Sequence, residues 1–209
     1  MVALQPESER NDARDAQRVR AFFAVALDAA TRRDAAAWTH CLRARPGGDA
    51  VRWVREESLH VTLHFLGDID PARVPDLVRA VALETAGVEP FRLGLGAAQL
   101  FPSQRRPRVV ALALEPLPPL EALAGAVGRG AAAAGFALEE RPFRAHLTLG
   151  RVKGRAAQRL DVTAPDTLGS QTCHVSEVVL FRSELQRTGA RYTPLDRAPL
   201  GARAGSNHP

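Results

Sequence analysis

The stretch LHVTLHFL at 59–66 alternates apolar and polar side chains with the period of two that is typical of a half-buried β-strand. Successive strand side chains point to opposite faces, so His60 and Thr62 are predicted to share one face, with the intervening apolar residues packed behind them. The segment AHLTL at 145–149 repeats the pattern inside a predicted strand over Phe143–Val152. This repeat indicates an internal duplication with two similar lobes.

Each copy of the H-x-T-L motif presents an imidazole and a hydroxyl from one strand face. In the second copy these are His146 and Thr148, which also stand two residues apart. If a pseudo-two-fold axis relates the lobes, the two motifs, 60–63 and 146–149, can face each other across a cleft. A third match, His174-Val175-Ser176, is followed by a glutamate rather than an apolar residue, and its role stays open.

The rest of the chain alternates between strand and helix patterns. Strands are predicted at Ala21–Leu27, Phe91–Leu95, Val109–Leu114, Val175–Phe181 and Tyr192–Thr193, and helices over Pro71–Thr85, over Leu117–Ala134 and from an Asp28 cap to about Leu42. Residues 1–18 and 201–209 lack hydrophobic periodicity and are predicted to be a disordered leader and tail. Between them, 19–200 is expected to form a single domain.

The bulk composition is that of a globular protein, with 45% hydrophobic and 24% charged residues. Lys+Arg is 28 against 23 for Asp+Glu, and Lys153 is the only lysine, so the basic excess is almost all arginine. Arginine can bind phosphate through two parallel hydrogen bonds, although an arginine-favouring codon usage gives the same composition. No apolar run approaches the roughly 20 residues of a membrane span, and the polar N-terminus resembles no secretory signal. No coiled-coil pattern or large apolar stripe is evident either, so we expect a cytoplasmic monomer with free Cys41 and Cys173 thiols.

Two facing imidazoles suit the hydrolysis of a cyclic phosphodiester. This reaction needs a base that takes a proton from water and an acid that protonates the departing oxygen. Imidazole, with an ordinary pKa near ~6.5, can perform either task, and the hydroxyls of Thr62 and Thr148 can donate to the phosphate oxygens. The sequence has no HExxH motif and no acidic residue at metal-ligand spacing, so neither a metal nor a cofactor is expected.

Five segments together resemble the RNA 2′,3′-cyclic phosphodiesterase (2′-5′ RNA ligase-like) family of the two-histidine phosphoesterase superfamily. They are RAFFAVAL (20–27), LHVTLHFLGD (59–68), FPSQRRPRVV (101–110), RPFRAHLTLGR (141–151) and RYTPL (191–195). The resemblance implies an α+β fold of two pseudo-two-fold-related lobes, each an antiparallel sheet with helices, around a central cleft. It also implies that His60 is the proton donor, that His146 is the proton acceptor, and that RNA ends or small cyclic nucleotides are the substrates.

The family product is a 2′-phosphate, and its members can also join RNA ends through a 2′-5′ bond. Arg151 matches a family arginine, but on a regular strand it would lie on the face opposite His146 unless a bulge at Gly150 turned it towards the phosphate. The sequence therefore leaves Arg151 open as a phosphate ligand or a surface charge.

Several other side chains have two interpretations. By the period of two, His64 shares a face with His60 and could be a third active-site imidazole or a packing residue. Phe143 could belong to the core or stack on a base, and the loop arginines of Arg105–Arg108 could steer RNA or simply be solvated.

Two other functions fit parts of the sequence. A non-catalytic module that binds RNA ends would use the same basic cleft, although binding alone needs no pair of proton-transfer groups. A metallohydrolase would need a carboxylate beside His60 and His146, and chelator sensitivity would identify it.

Overall fold

The computed structural model describes residues 18–137, 141–153, 160–163, 172–187 and 189–201. The predicted leader and tail lie outside these ranges, except for Arg18 and Gly201. Along the described chain the elements are β1 (Val19–Ala26), α1 (Ala29–Arg43), β2 (Val51–Trp53), β3 (His60–Ile69), α2 (Val74–Thr85), β4 (Phe91–Phe101), β5 (Val109–Glu115), α3 (Leu117–Ala133), β6 (Leu147–Val152), β7 (Thr172–Val175), β8 (Glu177–Gln186) and β9 (Gly189–Pro199).

The strands form two antiparallel sheets. Sheet A has the order β3-β1-β8-β9, and sheet B has the order β2-β6-β5-β4-β7. Helix α1 packs against sheet B, whereas α2 and α3 pack against each other and against sheet A. The predicted α+β class with two sheet-and-helix lobes is therefore confirmed.

The two H-x-T-L motifs lie on strands that approach each other between the sheets. Strand β3 is the edge of sheet A, strand β6 lies inside sheet B, and the two strands are in contact. Their apolar residues, such as Val61 and Leu147, are fully buried in one hydrophobic cluster that joins both sheets. The core thus anchors both motifs from behind.

Strand β6 is shorter than predicted, because it begins at Leu147 rather than at Phe143. Its neighbours explain the late start: β5 reaches only Leu147 and β2 pairs only from Gly150 onwards. Strand β9 is longer than predicted, at 11 residues around Tyr192. Its mostly exposed edge position removes the alternation that reveals a strand in a sequence.

A β-bulge interrupts β3 directly after its threonine. Ala24 of β1 pairs with Thr62 and Phe23 pairs with His64, so Leu63 is an extra residue on β3. A bulge places two residues opposite one and reverses the alternation of side chains beyond it.

The same irregularity occurs at the same position of the second motif. Ala111 of β5 pairs with Thr148 and Val110 pairs with Gly150, which makes Leu149 the extra residue. The duplication therefore extends from the H-x-T-L sequence to the backbone geometry that follows it.

Helix α3 crosses α2 closely at Gly130. A Cβ atom on Gly130 would lie 2.5 Å from the Cα atom of Val81 and 2.9 Å from the carbonyl oxygen of Ala80. Both are backbone atoms, which cannot move without separating the helices. The close helix pair behind sheet A therefore depends on this glycine.

We expect Gly130→Ala to lower the free energy of unfolding by about 2–3 kcal/mol, because the added methyl overpacks the helix crossing. Gly125→Ala on the same helix is the matched control. Gly125 is exposed, and its Cβ would meet only the end of the Arg129 side chain at 3.5 Å. This control should gain about 0.5–1 kcal/mol from helix propensity. Urea denaturation measures both changes, and a Gly130→Ala variant as stable as the wild type would contradict the prediction.

Candidate active site

A cleft of about 400 Å³ lies between the two motif strands, β3 and β6. Both threonines and His60 line it, together with aromatic, small and basic side chains of sheets A and B. The main polar and aromatic lining residues are Arg20, Phe22, His60, Thr62, Phe65, Thr148, Arg151, Ser183 and Tyr192.

The imidazole of His60 is held in place from two sides. Its Nδ1 donates to the carbonyl oxygen of Ser58 at 2.8 Å, and its Nε2 lies 3.1 Å from Oγ1 of Thr62. The ring also rests on aromatic neighbours, with centroids 4.8 Å from both Phe22 and Tyr192. These contacts fix the direction in which Nε2 points.

His146 is held by the same backbone device. Its Nδ1 donates to the carbonyl oxygen of Arg144 at 2.7 Å, again two residues earlier in the chain. The ring stacks on Phe101 with centroids 4.5 Å apart, and the Arg144 guanidinium lies 4.6 Å from the same Phe101 ring. Each catalytic candidate thus has an aromatic support of its own.

The backbone contacts determine which nitrogen of each ring can react. A carbonyl oxygen can only accept a hydrogen bond, so Nδ1 must carry a proton in both His60 and His146. In the neutral rings Nε2 therefore holds the lone pair, and in the charged rings it holds the transferable proton. Both imidazoles are prepared for proton transfer through the same atom.

The predicted common face of His60 and His64 is wrong. The bulge at Leu63 reverses the alternation, so His64 turns into the interior, where it is 4% exposed. Its Nε2 donates to the carbonyl oxygen of Ala137 at 3.3 Å. His64 is therefore a packing residue, and Phe65, 49% exposed, takes its place on the cleft.

The second bulge brings Arg151 into the cleft beside Thr148. Arg151 follows His146 by five residues, as Phe65 follows His60, so the two occupy equivalent positions of the duplicated unit. A Cβ on Gly150 would collide with side chains of β2, Val51 among them, which explains a glycine there. The cleft thus combines one exposed aromatic side chain and one guanidinium at matching positions.

Burial is the main reason why the pKa of His60 lies at about 4, well below its ordinary value of 6.5. The positive charges of Arg151 and His146 lower the pKa further, and the Ser58 carbonyl partly opposes them. His60 is therefore uncharged at neutral pH in the free protein.

This pKa predicts that stability falls as the pH drops from about 6.5 to 4. In that range the unfolded chain binds a proton at His60 more readily than the folded chain does, so protonation favours unfolding. The loss should reach about 2–3 kcal/mol at pH 4. Urea denaturation at several pH values should show this loss in the wild type and in His174→Gln, and a smaller loss in His60→Gln. Equal pH dependence of His60→Gln and wild type would refute the assignment.

The remaining candidates lie away from the cleft. Phe143 packs against the hydrophobic core, and His174 is exposed on β7 at the edge of sheet B. The arginines of Arg105–Arg108 are exposed and do not line the cleft. In the described part of the chain, no three His, Cys, Asp or Glu side chains cluster as metal ligands would.

Sequence reasoning missed the aromatic supports of the two histidines. Phe22, Phe101 and Tyr192 come from β1, β4 and β9, far from either motif in the chain. Each belongs to one of the quoted segments, RAFFAVAL, FPSQRRPRVV or RYTPL, but nothing local in those segments shows which ring meets which histidine.

None of the described helices is long and apolar enough to cross a membrane.

Comparisons with known proteins identify relatives of this chain. The LigT-like phosphoesterase family matches over residues 25–111 and 113–192. A relative named RNA 2′,3′-cyclic phosphodiesterase from Methanothermobacter thermautotrophicus is 35% identical over 86% of this chain and 97% of its own length. The protein of the same name from Escherichia coli is 34% identical over 87% of this chain and 96% of its own length. One from Geobacillus stearothermophilus is 32% identical over 71% of this chain, which spans only 47% of that longer protein.

Solved structures give the same result. E. coli LigT complexed with 3′-AMP superposes with a TM-score of 0.71 at 32% identity, over 88% of this chain and 98% of that one. A protein of Thermus thermophilus, TT0787, gives a TM-score of 0.68 at 29% identity, over 87% and 98%. The resemblance of the five motifs is confirmed, and the chain belongs to the LigT-like phosphoesterase family.

Proposed function

We propose that this phosphoesterase hydrolyses RNA ends that carry a 2′,3′-cyclic phosphate to 2′-phosphomonoesters, with His60 and His146 as a metal-independent acid–base pair. The observation that carries the proposal is the matched anchoring of the two imidazoles. Each donates Nδ1 to a carbonyl oxygen two residues earlier, so each keeps Nε2 for proton transfer. The names of the relatives support the cyclic phosphate as substrate.

In the proposed reaction Nε2 of His146 accepts a proton from water, and the water oxygen attacks phosphorus. The bond from phosphorus to the 3′-oxygen breaks, and Nε2 of His60 gives its proton to that oxygen. The products are a 2′-phosphate and a 3′-hydroxyl. The near-symmetry of the site allows either direction, so the assignment of acid and base rests on the family resemblance.

Negative charge develops on the non-bridging phosphate oxygens in the transition state, and hydrogen-bond donors that are already in place stabilise it. The hydroxyls of Thr62 and Thr148 stand on the cleft faces of β3 and β6, and Arg151 adds a guanidinium. Fixed donors of this kind stabilise a phosphorane-like arrangement without reorganising during the reaction. We assign these three side chains to the non-bridging phosphate oxygens.

Substrate binding would also protonate the acid. His60 is neutral in the free protein because of burial and of the nearby positive charges. A phosphate anion in the cleft offsets the charge of Arg151 and favours the imidazolium of His60. The negative charge of the substrate thus shifts the pKa of His60 upwards, in the direction that its role as the acid requires.

The same site would support joining of RNA ends. A 5′-hydroxyl that replaces the attacking water would form a 2′-5′ phosphodiester and release the same 3′-hydroxyl. Water is present at far higher concentration, so hydrolysis would dominate.

The proposal is tested with an RNA oligonucleotide that ends in a 2′,3′-cyclic phosphate. We expect turnover to a 2′-phosphate, which resists an enzyme that removes only 3′-phosphates. A 3′-phosphate product would overturn the proposed leaving group. RNA binding without any turnover would instead identify a non-catalytic module for RNA ends.

A further inference from the structure

A second cleft of about 420 Å³ adjoins the one lined by His60, Thr62 and Thr148. The two share lining residues from both sheets, namely Val54, Arg151, Leu185, Ala190 and Tyr192. They therefore form one continuous groove. We call the second part the arginine groove, because Arg52, Arg55, Arg151 and Arg187 line it.

Two of these arginines stand directly opposite each other in sheet B. Arg52 of β2 pairs with Arg151 of β6 in the antiparallel register, so both side chains leave the same face of the sheet. Like charges at such positions repel and destabilise a sheet. An anion bound between them removes this repulsion, so the pair favours a ligand that brings negative charge.

Positive charge predominates in the groove. Among its described lining residues there is no carboxylate. The Nε atom of Arg55 lies 3.3 Å from Glu57, which lines an adjoining pocket together with Arg55, Ser58 and Tyr192. Four arginines beside this one carboxylate leave the groove with a net positive charge, which attracts anions.

Apolar surface lies beside the arginines. Leu185 is 88% exposed although it is a large aliphatic residue. Trp53 is fixed by its indole N–H, which donates to the carbonyl oxygen of Gly48 at 2.9 Å. A flat apolar group can therefore pack in the groove next to an anion, and a nucleotide provides both a base and a phosphate.

We propose that the arginine groove binds the ribonucleotide on the 5′ side of the terminal nucleotide, with Arg52 and Arg187 on the phosphodiester that joins the two. This inference rests on the proposed function, because that function places the cyclic phosphate between the histidines. It makes short RNA chains, rather than mononucleotides, the preferred substrates. The loop of Arg105–Arg108, which lines neither part of the groove, has no role in this preference.

The test compares kcat/KM for 2′,3′-cyclic AMP with kcat/KM for an adenosine dinucleotide that ends in a 2′,3′-cyclic phosphate. We expect the dinucleotide to be favoured at least about tenfold, the value of one charge-assisted hydrogen bond. The preference should fall roughly threefold between about 50 and 200 mM salt, as expected for one additional phosphate contact in a single strand. A dinucleotide with an uncharged methylphosphonate linkage should lose most of the preference.

The double variant Arg52→Gln and Arg187→Gln should reduce the dinucleotide preference to about that of the methylphosphonate substrate. With the methylphosphonate dinucleotide, the double variant and the wild type should have similar kcat/KM. The protein substitutions and the uncharged linkage remove the same contact, so their effects do not add. Arg79→Gln on the exposed face of α2 is the matched control and should keep the full preference. Arg52→Gln should have a Tm at least equal to that of the wild type, because the repulsion with Arg151 is relieved.

Each other outcome is decisive. Equal kcat/KM for both cyclic substrates would overturn the groove and leave the proposed function standing. A preference that survives in the double variant, or with the methylphosphonate, would overturn recognition of the phosphodiester by these arginines. Failure to hydrolyse either cyclic substrate would overturn the proposed function and this inference with it.

Discussion

His60→Ala and His146→Ala should each lower kcat about 10²–10⁴-fold for an RNA end with a 2′,3′-cyclic phosphate. Each substitution removes one of the two proton-transfer groups, and such a group typically supplies this factor. The kcat of the double variant should be only slightly lower than that of the less active single variant, because the acid and the base act in one concerted step. Steady-state hydrolysis rates measure all three variants.

The matched control is His174→Ala, which removes an exposed imidazole from another H-x-[ST] match. It should keep kcat within about twofold of the wild type, as surface substitutions usually do. The far-UV circular dichroism of all variants should match that of the wild type. A His60 or His146 variant that retains more than a tenth of the wild-type kcat would contradict the acid–base pair.

Arg151→Gln should lower kcat by about 10²-fold, the typical cost of removing one preorganised donor from a transition state. Arg151→Lys should recover only part of that loss, since a lysine keeps the charge but cannot form two parallel hydrogen bonds. KM should change less than kcat, because charge on the phosphate increases as water attacks. Arg79→Gln again serves as the control for loss of a surface charge.

The same variant has a second readout that depends on charge alone. Arg151 is one cause of the low pKa of His60, so Arg151→Gln should raise that pKa from about 4. The imidazole resonances of His60 in an NMR titration would show the change. A variant that loses less than threefold in kcat and leaves the His60 titration unaltered would place Arg151 outside the site.

The sequence was sufficient to predict the parts of the site that depend on strand periodicity. His60 and Thr62 share a cleft face because nothing interrupts the chain between them, and the observed contact between their side chains follows from that. The duplication was visible for the same reason, since H-x-T-L recurs on a second strand. The match of the five motifs extended this to the fold class.

Features beyond each threonine could not be predicted from local periodicity. A bulge depends on how the neighbouring strand pairs, and the partners of Leu63 and Leu149 lie on β1 and β5. One extra residue in each strand moved His64 into the core and brought Arg151 to the cleft. The second of these outcomes had a local signal, a glycine immediately before the arginine.

Contacts that join distant segments were also beyond the sequence. The stacking of Phe101 on His146 and the edge contact of Tyr192 with His60 each join separate strands. The arginine groove is likewise assembled from β2, β6 and the end of β8, so no run of basic residues marked it. The loop of Arg105–Arg108, which does form such a run, lies away from the cleft.

The most direct test is the hydrolysis of a 2′,3′-cyclic phosphate RNA end by metal-stripped protein in excess EDTA. A two-histidine acid–base mechanism predicts full turnover under these conditions, with no gain when Mg²⁺, Mn²⁺ or Zn²⁺ is returned. The product should be a 2′-phosphate. Loss of turnover in EDTA that is restored by one of these ions would contradict the mechanism and identify a metal-dependent hydrolase.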